Sequence, residues 1–182
     1  MRPCLFALTL LFALALLPLT IQGSAAWAES KIFDGVWEAC QGQKGEQACI
    51  YYVLKQKDDR ICGLWHYQAT EEYDGRLIAE SKGLSGRVTY TCARVGSETG
   101  IECADKAVPF SPSEWTKINK TLLICDGRLY ALDGNGRSCA DLGKSPGLPK
   151  LSSFTQPASK EDRDWMNACL NDPAYPPPQL RK

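Results

Sequence analysis

The sequence predicts an all-β fold, an eight-stranded antiparallel meander barrel with a short C-terminal helix, braced by disulfides. Short runs rich in β-branched and aromatic residues recur between Lys31 and Leu132. Turn-forming residues separate these runs every eight to twelve residues or so, a spacing typical of antiparallel sandwiches and barrels. The chain also has nine cysteines in 182 residues. A barrel of about eight strands is just wide enough to be filled by its own side chains or to hold one small ligand.

The predicted strands follow the turn signals along the chain. Asp126-Gly127 gives the clearest signal, because this dipeptide suits a two-residue hairpin turn. Asp74-Gly75 is likewise interpreted as a turn. The eight predicted strands span residues 33–40, 47–56, 60–69, 76–80, 87–94, 101–104, 118–125 and 128–132.

Two short helices are predicted outside the strands. Ser111-Pro112-Ser113-Glu114 combines a capping serine with proline at the first helical position. Ser159 begins a second helix in which Trp165 and Cys169, four residues apart, share one face. The remaining segments are interpreted from composition. The predicted organisation is a cleaved signal peptide at 1–28, the barrel at 29–144, a linker at 145–158, the helix at 159–171 and a disordered tail at 172–182.

The N-terminus predicts secretion. Arg2 precedes an apolar run from Cys4 to Leu17, and Ala26-Trp27-Ala28 has the small-x-small pattern that signal peptidase cleaves. The run is shorter than the ~20 residues needed to span a bilayer, so no stable membrane anchor is expected. The protein is therefore predicted to be secreted or periplasmic after cleavage near Ala28.

Charge and cysteine spacing exclude several classes of partner. The 21 basic and 21 acidic residues balance, and loss of Arg2 with the signal leaves a net charge of −1. This argues against nucleic-acid binding. No Cys-x-x-Cys pair occurs and His66 is the single histidine, so neither a metal nor another cofactor is expected.

The eight cysteines that follow the signal predict a disulfide framework, since their number is even and the compartment is oxidising. Eight cysteines allow 105 connectivities, and proximity across hairpins favours one set. The predicted bridges are Cys40–Cys49, Cys92–Cys103, Cys125–Cys139 and, by remainder, Cys62–Cys169, which would pin the C-terminal helix to the outside of the barrel.

Hairpin register predicts which side chains face inward. Two-residue turns at Lys44-Gly45 and Asp58-Asp59 place Trp37 opposite Tyr52 and Tyr52 opposite Trp65. The predicted interior face then contains Gly35, Trp37, Ile50, Tyr52, Leu54, Trp65 and Tyr67. We therefore expect Trp65 to be more buried than His66, and we expect the many large rings to fill the barrel.

No motif predicts catalysis. A serine or cysteine nucleophile needs a base beside it, yet His66 lies in mid-strand and the cysteines are paired in the predicted framework. Asp133-Gly134-Asn135-Gly136 resembles the start of a calcium loop, but Arg137 and Lys144 occupy ligand positions. The sequence therefore predicts a binding protein rather than an enzyme.

The predicted contact surface lies on the outer face of the barrel. Glu38, Tyr51 and His66 align across three strands, and Tyr73, Asp74 and Arg76 are placed on a hairpin tip beyond them. Tyrosine and arginine are enriched at interface hot spots, so these six residues are candidates for binding another protein.

Two resemblances point to different binding functions. The strand Val88-Thr89-Tyr90-Thr91-Cys92 resembles the tyrosine-x-cysteine strand of the membrane-bound lysozyme inhibitors of bacteria. That resemblance implies a protein-binding inhibitor or immunity-type module of the bacterial envelope. Ser85-Gly86 matches the inhibitors' serine-glycine loop only loosely, so no inhibitory residue is transferred.

The alternative is a carrier of a small hydrophobic ligand. Gly35-Val36-Trp37 on the first strand of an eight-stranded meander resembles the lipocalin and avidin-like barrels. In those families the tryptophan closes one end of the barrel. The resemblance implies that Trp37, Tyr52, Trp65 and Tyr67 line or plug a cavity.

Overall fold

The computed structural model describes residues 31–43, 47–94, 102–103, 115–152 and 158–173. Eight strands and one α-helix lie within them. They are β1 Gly35–Gln41, β2 Ala48–Lys57, β3 Arg60–Gln68, β4 Glu72–Lys82, β5 Ser85–Ala93, β6 Thr116–Cys125, β7 Arg128–Asp133, β8 Leu148–Pro149 and α1 Lys160–Asn171. A single 3-10 turn at Cys139–Asp141 lies between β7 and β8.

The strands form one antiparallel sheet in chain order, curled into a nearly closed barrel. The first and last strands meet through a bridge between Trp37 and Lys150. Beside it, the Leu151 N–H donates to the Val36 carbonyl over 2.8 Å. The predicted fold class is therefore confirmed, and the helix packs outside the barrel against β2 and β3.

The eighth strand differs from the prediction. The predicted strand at 101–104 is represented by an isolated bridge between Ala93 and Glu102. Leu148–Pro149, in the stretch expected to be a linker, supplies β8 instead. These two residues follow Pro146-Gly147, and a strand of two residues is too short to show an alternation of apolar and polar side chains. The predicted signal peptide, the helix start at 111–114 and the tail from residue 174 lie outside the described residues.

The predicted turn at Asp74-Gly75 is wrong. Both residues lie inside β4, where Asp74 pairs with His66 and Gly75 pairs with Trp65. The chain turns earlier, at residues 69–71, because β3 and β4 pair over nine positions and carry the hairpin past Gly75.

The predicted hairpin register is confirmed at both sites tested. Trp37 pairs with Tyr52, and Tyr52 pairs with Trp65. Alternate residues consequently build two apolar layers. The interior layer includes Phe33, Trp37, Tyr52, Leu54, Ile61, Leu77, Ala79, Val88, Leu122, Ile124 and Leu129. The exterior layer joins Val36, Val53, Cys62, Leu64 and Ile78 to three residues of α1, Trp165, Met166 and Cys169.

The expectation that Trp65 is more buried than His66 is wrong, although the register behind it is right. His66 is 5% exposed, whereas Trp65 is partly exposed. The prediction assumed that outward residues face solvent. In this barrel a second layer covers part of the outside, and Trp65 borders an internal cavity.

Helix α1 forms that second layer through one buried face. Asp162, Trp165, Met166 and Cys169 are its buried residues, and their spacing of three and four places them in one stripe. The Ser159 hydroxyl caps the start by accepting the Asp162 N–H. At the other end, the Arg60 guanidinium donates to the Cys169 and Asp172 carbonyls, each over 2.9 Å.

All four predicted disulfides are formed: Cys40–Cys49, Cys62–Cys169, Cys92–Cys103 and Cys125–Cys139. Three join neighbours in sequence. The fourth, Cys62–Cys169, spans 107 residues and links β3 to α1.

Removal of Cys62–Cys169 should destabilise the protein more than removal of Cys40–Cys49. The first bridge closes a loop of 107 residues and the second a loop of 9, so the entropy it removes from the unfolded chain is larger. Chain-entropy scaling predicts losses of about 5 and about 3 kcal/mol respectively. Urea unfolding of the paired Cys→Ala variants measures both, and equal losses would contradict this ranking.

Candidate functional site

The predicted outer residues form a row across four strands. Glu38 pairs with Tyr51, Tyr51 with His66, and His66 with Asp74. The His66 ring stacks on Tyr51 at a centroid distance of 4.5 Å. Its Nδ1 lies 3.7 Å from Glu72 Oε1, so an acceptor faces the buried imidazole.

Beside this row, a charged cluster joins the barrel to α1. Arg76 Nη2 lies 3.0 Å from Glu161 Oε1 and 3.6 Å from Asp162 Oδ1. Arg94 Nη1 bridges Asp74 and Asp162 at 3.2 and 3.3 Å. The Arg76 guanidinium also lies 5.1 Å from the Trp165 ring centroid, within range of a cation–π contact. These contacts hold the helix against β4.

The six predicted binding residues therefore do not form one exposed surface. His66 and Arg76 are 5% and 4% exposed. The Tyr51 ring stacks on His66, and side chains of α1 lie against the Arg76 guanidinium. Tyr73 is not on a hairpin tip but in β4, where it pairs with Tyr67 on the opposite face of the sheet. Glu38, Tyr51 and Asp74 remain partly exposed.

Burial sets the ionisation of this cluster. Desolvation raises the pKa of the Asp74 carboxyl above its usual range, although Arg94 opposes the shift. Desolvation likewise raises the pKa of the Tyr51 phenol, with the Asp74 charge adding to it. The cluster stabilises the joint between barrel and helix, and its buried members cannot contact a partner without moving α1.

A cavity of about 590 Å³, partly open to solvent, reaches into the barrel. Its lining is mostly apolar or aromatic, with a few polar groups. The lining residues are Tyr52, Trp65, Leu77, Val88, Thr91, Ile118, Asn119, Lys120 and Asp133. Its volume falls within the range of small-molecule sites, about 300–1,000 Å³. The rings expected to fill the barrel therefore leave a ligand-sized space.

A β-bulge in β5 contributes to this space. Val88 pairs with Ala79 and Tyr90 with the adjacent Ile78, so Thr89 is an extra residue opposite β4. The bulge reverses the alternation of the strand. As a result Tyr90 packs on the outer layer under α1, and the smaller Thr91 lines the cavity.

Gly75 allows Trp65 to lie along the wall. A Cβ at Gly75 would be 2.0 Å from the Cys92 carbonyl oxygen and 2.8 Å from Trp65 Nε1. The indole therefore approaches the bare backbone, and its N–H donates to Thr91 Oγ1 over 3.0 Å. Thr91 in turn donates to the Arg76 carbonyl over 3.0 Å. These bonds hold the ring against the wall rather than across the lumen.

Three side chains of the lining, Lys120, Asp133 and Tyr52, supply charged or hydrogen-bonding groups. Lys120 Nζ lies 3.8 Å from Asp133 Oδ1. The Tyr52 phenol is buried, and desolvation together with the nearby Asp133 charge raises its pKa to about 12. Tyr52 consequently stays protonated and able to donate a hydrogen bond at every physiological pH.

The sequence reasoning missed most of the lining. Tyr52 and Trp65 were expected there through the barrel resemblance, but Lys120 and Asp133 were not. Lys120 did leave a signal, because it interrupts the inward alternation of Ile118, Leu122 and Ile124 in β6. A lone charge in an otherwise apolar alternation indicates a solvated or ligand-binding position.

Comparison with protein-family models, curated proteins and solved structures gave no match. Over the described ranges, a single group of potential metal ligands clusters, Glu38 with Cys40 and Cys49. Both sulfurs are consumed by a disulfide, so this group offers one carboxylate only. In the same ranges, no helix is long and apolar enough to cross a membrane.

Replacing Arg76 by methionine should strongly destabilise the fold. Among the described residues, it leaves the carboxylate of Asp162, which is 2% exposed, with Arg94 as its one remaining ion-pair partner. Breaking a buried pair costs about 3 kcal/mol or more, whereas an exposed pair costs about 1 kcal/mol or less. Arg87→Met, at the more exposed Arg87–Glu80 pair, is the matched control. Similar losses for the two variants in urea unfolding would refute the structural role of Arg76.

Tyr52→Phe should flatten part of the alkaline stability profile. The folded pKa of about 12 exceeds the ordinary value of 10.0, so the stabilisation is complete below pH 10 and is lost as the pH rises through 12. Ionisation then costs the wild type about 3 kcal/mol that the variant does not lose. Unfolding free energies of both proteins across this window give the difference, and parallel profiles would contradict the assignment.

Proposed function

We propose that this protein is a non-catalytic binding protein that carries one small, largely apolar molecule inside its barrel. The observation that carries the proposal is the cavity of about 590 Å³, with aromatic and aliphatic walls and a few convergent polar groups. Ligand sites are typically concave, mostly apolar and preformed, with a few polar groups that orient the ligand.

The two ends of the barrel differ in a way that suits a carrier. One end has tight turns at residues 58–59, 83–84 and 126–127, and Phe33 is fully buried behind them among Leu54 and Ile61. At the other end the connections are longer, with 22 residues between β5 and β6. Thr91, Ile118 and Asp133 of the lining lie within three residues of strand termini at this second end.

Trp37 supports the resemblance to lipocalin and avidin-like barrels. It is 2% exposed, and its indole N–H donates to the Phe33 carbonyl over 3.0 Å. Lys150 Nζ lies 5.3 Å from the ring centroid. The ring thus ties the segment before β1 to the seam where β1 meets β8, a closing role like the one the resemblance implies.

The disulfides fit an oxidising extracellular environment. Together with the predicted signal at 1–28, they support a secreted or periplasmic carrier, which would capture its ligand outside the cytoplasm.

A protein-binding inhibitor is the second candidate, and one exposed feature favours it. Tyr67 is 40% exposed and stacks on Tyr73 at 6.3 Å, with the Tyr73 hydroxyl donating to Glu71. Exposed tyrosines are enriched at interface hot spots. This pair, rather than Tyr51 with His66, would then contact the partner.

Filling the cavity should weaken binding of a neutral apolar probe. We expect N-phenyl-1-naphthylamine to bind the mature protein and quench tryptophan fluorescence through Trp65. Ile118→Trp places a ring in the cavity and should weaken probe binding by about tenfold or more, equivalent to the 1.4 kcal/mol of one decade. Lys117→Trp, on the exposed side of the same strand, is the control and should bind normally.

Thermal unfolding of both variants establishes that they are folded before the comparison is made. Probe binding that is absent, or that survives Ile118→Trp unchanged, would contradict the carrier proposal. Slowing of a muramidase by the mature protein, lost in Tyr67→Ala, would favour the inhibitor instead.

A further inference from the structure

We infer that the ligand is an amphipathic carboxylate, held with its apolar body inside the barrel and its head group on Lys120. This inference rests on the proposed carrier function and names the chemical class of the molecule carried.

Lys120 occupies an interior position of the barrel wall. It pairs with Val88 on β5 and with Asp133 on β7, and it lies two residues before the fully buried Leu122. Within the described part of the cavity lining, Lys120 is the one cationic side chain. Its side chain is 37% exposed and also lines the cavity.

The ion pair between Lys120 and Asp133 is weak. Asp133 Oδ1 is 3.8 Å from Lys120 Nζ, beyond the ~2.7–2.9 Å of a charge-assisted hydrogen bond. The Asp133 side chain is 94% exposed and remains hydrated when it leaves Lys120. An exposed ion pair of this kind contributes little, so an incoming carboxylate can replace Asp133 at small cost.

Desolvation makes the exchange selective. A ligand that fills the cavity removes water from the Lys120 ammonium, and the exposed Asp133 carboxylate at 3.8 Å offsets this loss of hydration only weakly. A carboxylate provides the opposite charge where an alcohol or an ester does not. The class of ligand that binds without this penalty is therefore an anion at one end and apolar elsewhere.

The other lining residues suit such a molecule. The Tyr52 phenol, which remains protonated, is a further hydrogen-bond donor for ligand oxygens. Trp65, Leu77 and Val88 supply the apolar wall for the rest of the ligand. Asp133 acts as the competitor of the ligand's carboxylate for Lys120.

The test compares two ligands that differ only in the head group. Dodecanoate and dodecanol, each below its aggregation limit at about pH 8, displace N-phenyl-1-naphthylamine from the mature protein. We expect dodecanoate to bind about tenfold more tightly than dodecanol. Lys120→Gln should remove that preference from both sides: it weakens dodecanoate binding, and it strengthens dodecanol binding because no ammonium is left to desolvate. Asp133→Asn should strengthen dodecanoate binding by removing its competitor.

Lys117→Gln, at the exposed neighbouring position of β6, should retain the wild-type preference and controls for a general change in charge. Equal binding of the two ligands to the wild type, or a preference that persists in Lys120→Gln, would overturn the assignment of a carboxylate. In that outcome the probe still binds and the carrier proposal stands. If the probe itself does not bind, the carrier proposal fails and this inference fails with it.

Discussion

The β-bulge at Thr89 is the constraint on which both layers of this molecule depend. Without the extra residue, regular alternation from Val88 would direct Tyr90 into the lumen and Thr91 outward. With it, Tyr90 packs in the outer layer beneath α1, and Thr91 accepts the Trp65 indole N–H inside. The bulge thus directs the Tyr90 ring out of the lumen and into the outer apolar layer that α1 completes.

The outer layer explains why some side chains that point outward from this barrel are nevertheless buried. In a bare barrel, side chains on the outside are solvated and those inside form the core. Here α1, linked through Cys62–Cys169, packs against β2 and β3 and pairs with Arg76 of β4, so that Arg76 and Asp162 become interior groups. Arg76 and Asp162 lie too deep to form a contact surface, so their main role is to fix the helix. His66, outward in register, is also more buried than Trp65, and its ring stacks on Tyr51.

The features that could be predicted from the sequence depend on residues close together in the chain. Turn dipeptides set the hairpin register, and register together with proximity identified the disulfides, since Cys40 and Cys49 must face each other if Trp37 faces Tyr52. The bulge could not be predicted from the sequence. In the run Val88-Thr89-Tyr90-Thr91, the residue types do not indicate which side chains face the lumen and which face outward. Leu148–Pro149 carries no periodicity of its own and becomes a strand by meeting β7 and the seam beside β1. The cavity follows from these tertiary facts and from the absence of a Cβ at Gly75, so it was missed with them.

A preformed cavity needs a wall that resists collapse, and the bonds around this one supply that resistance. Trp65 is held against Gly75 by its hydrogen bond to Thr91, and Thr91 is held by the Arg76 carbonyl. Arg76 also belongs to the cluster that fixes α1, so the inner wall and the outer layer share one residue. Cys92–Cys103 tethers β5 one residue beyond Thr91. Because ordering the wall is a cost of folding rather than of binding, more of the contact energy with a ligand remains as affinity. Two of the four disulfides, Cys62–Cys169 through α1 and Cys92–Cys103 through β5, thus act with the bulge and the glycine to fix the shape of the lumen in the folded protein.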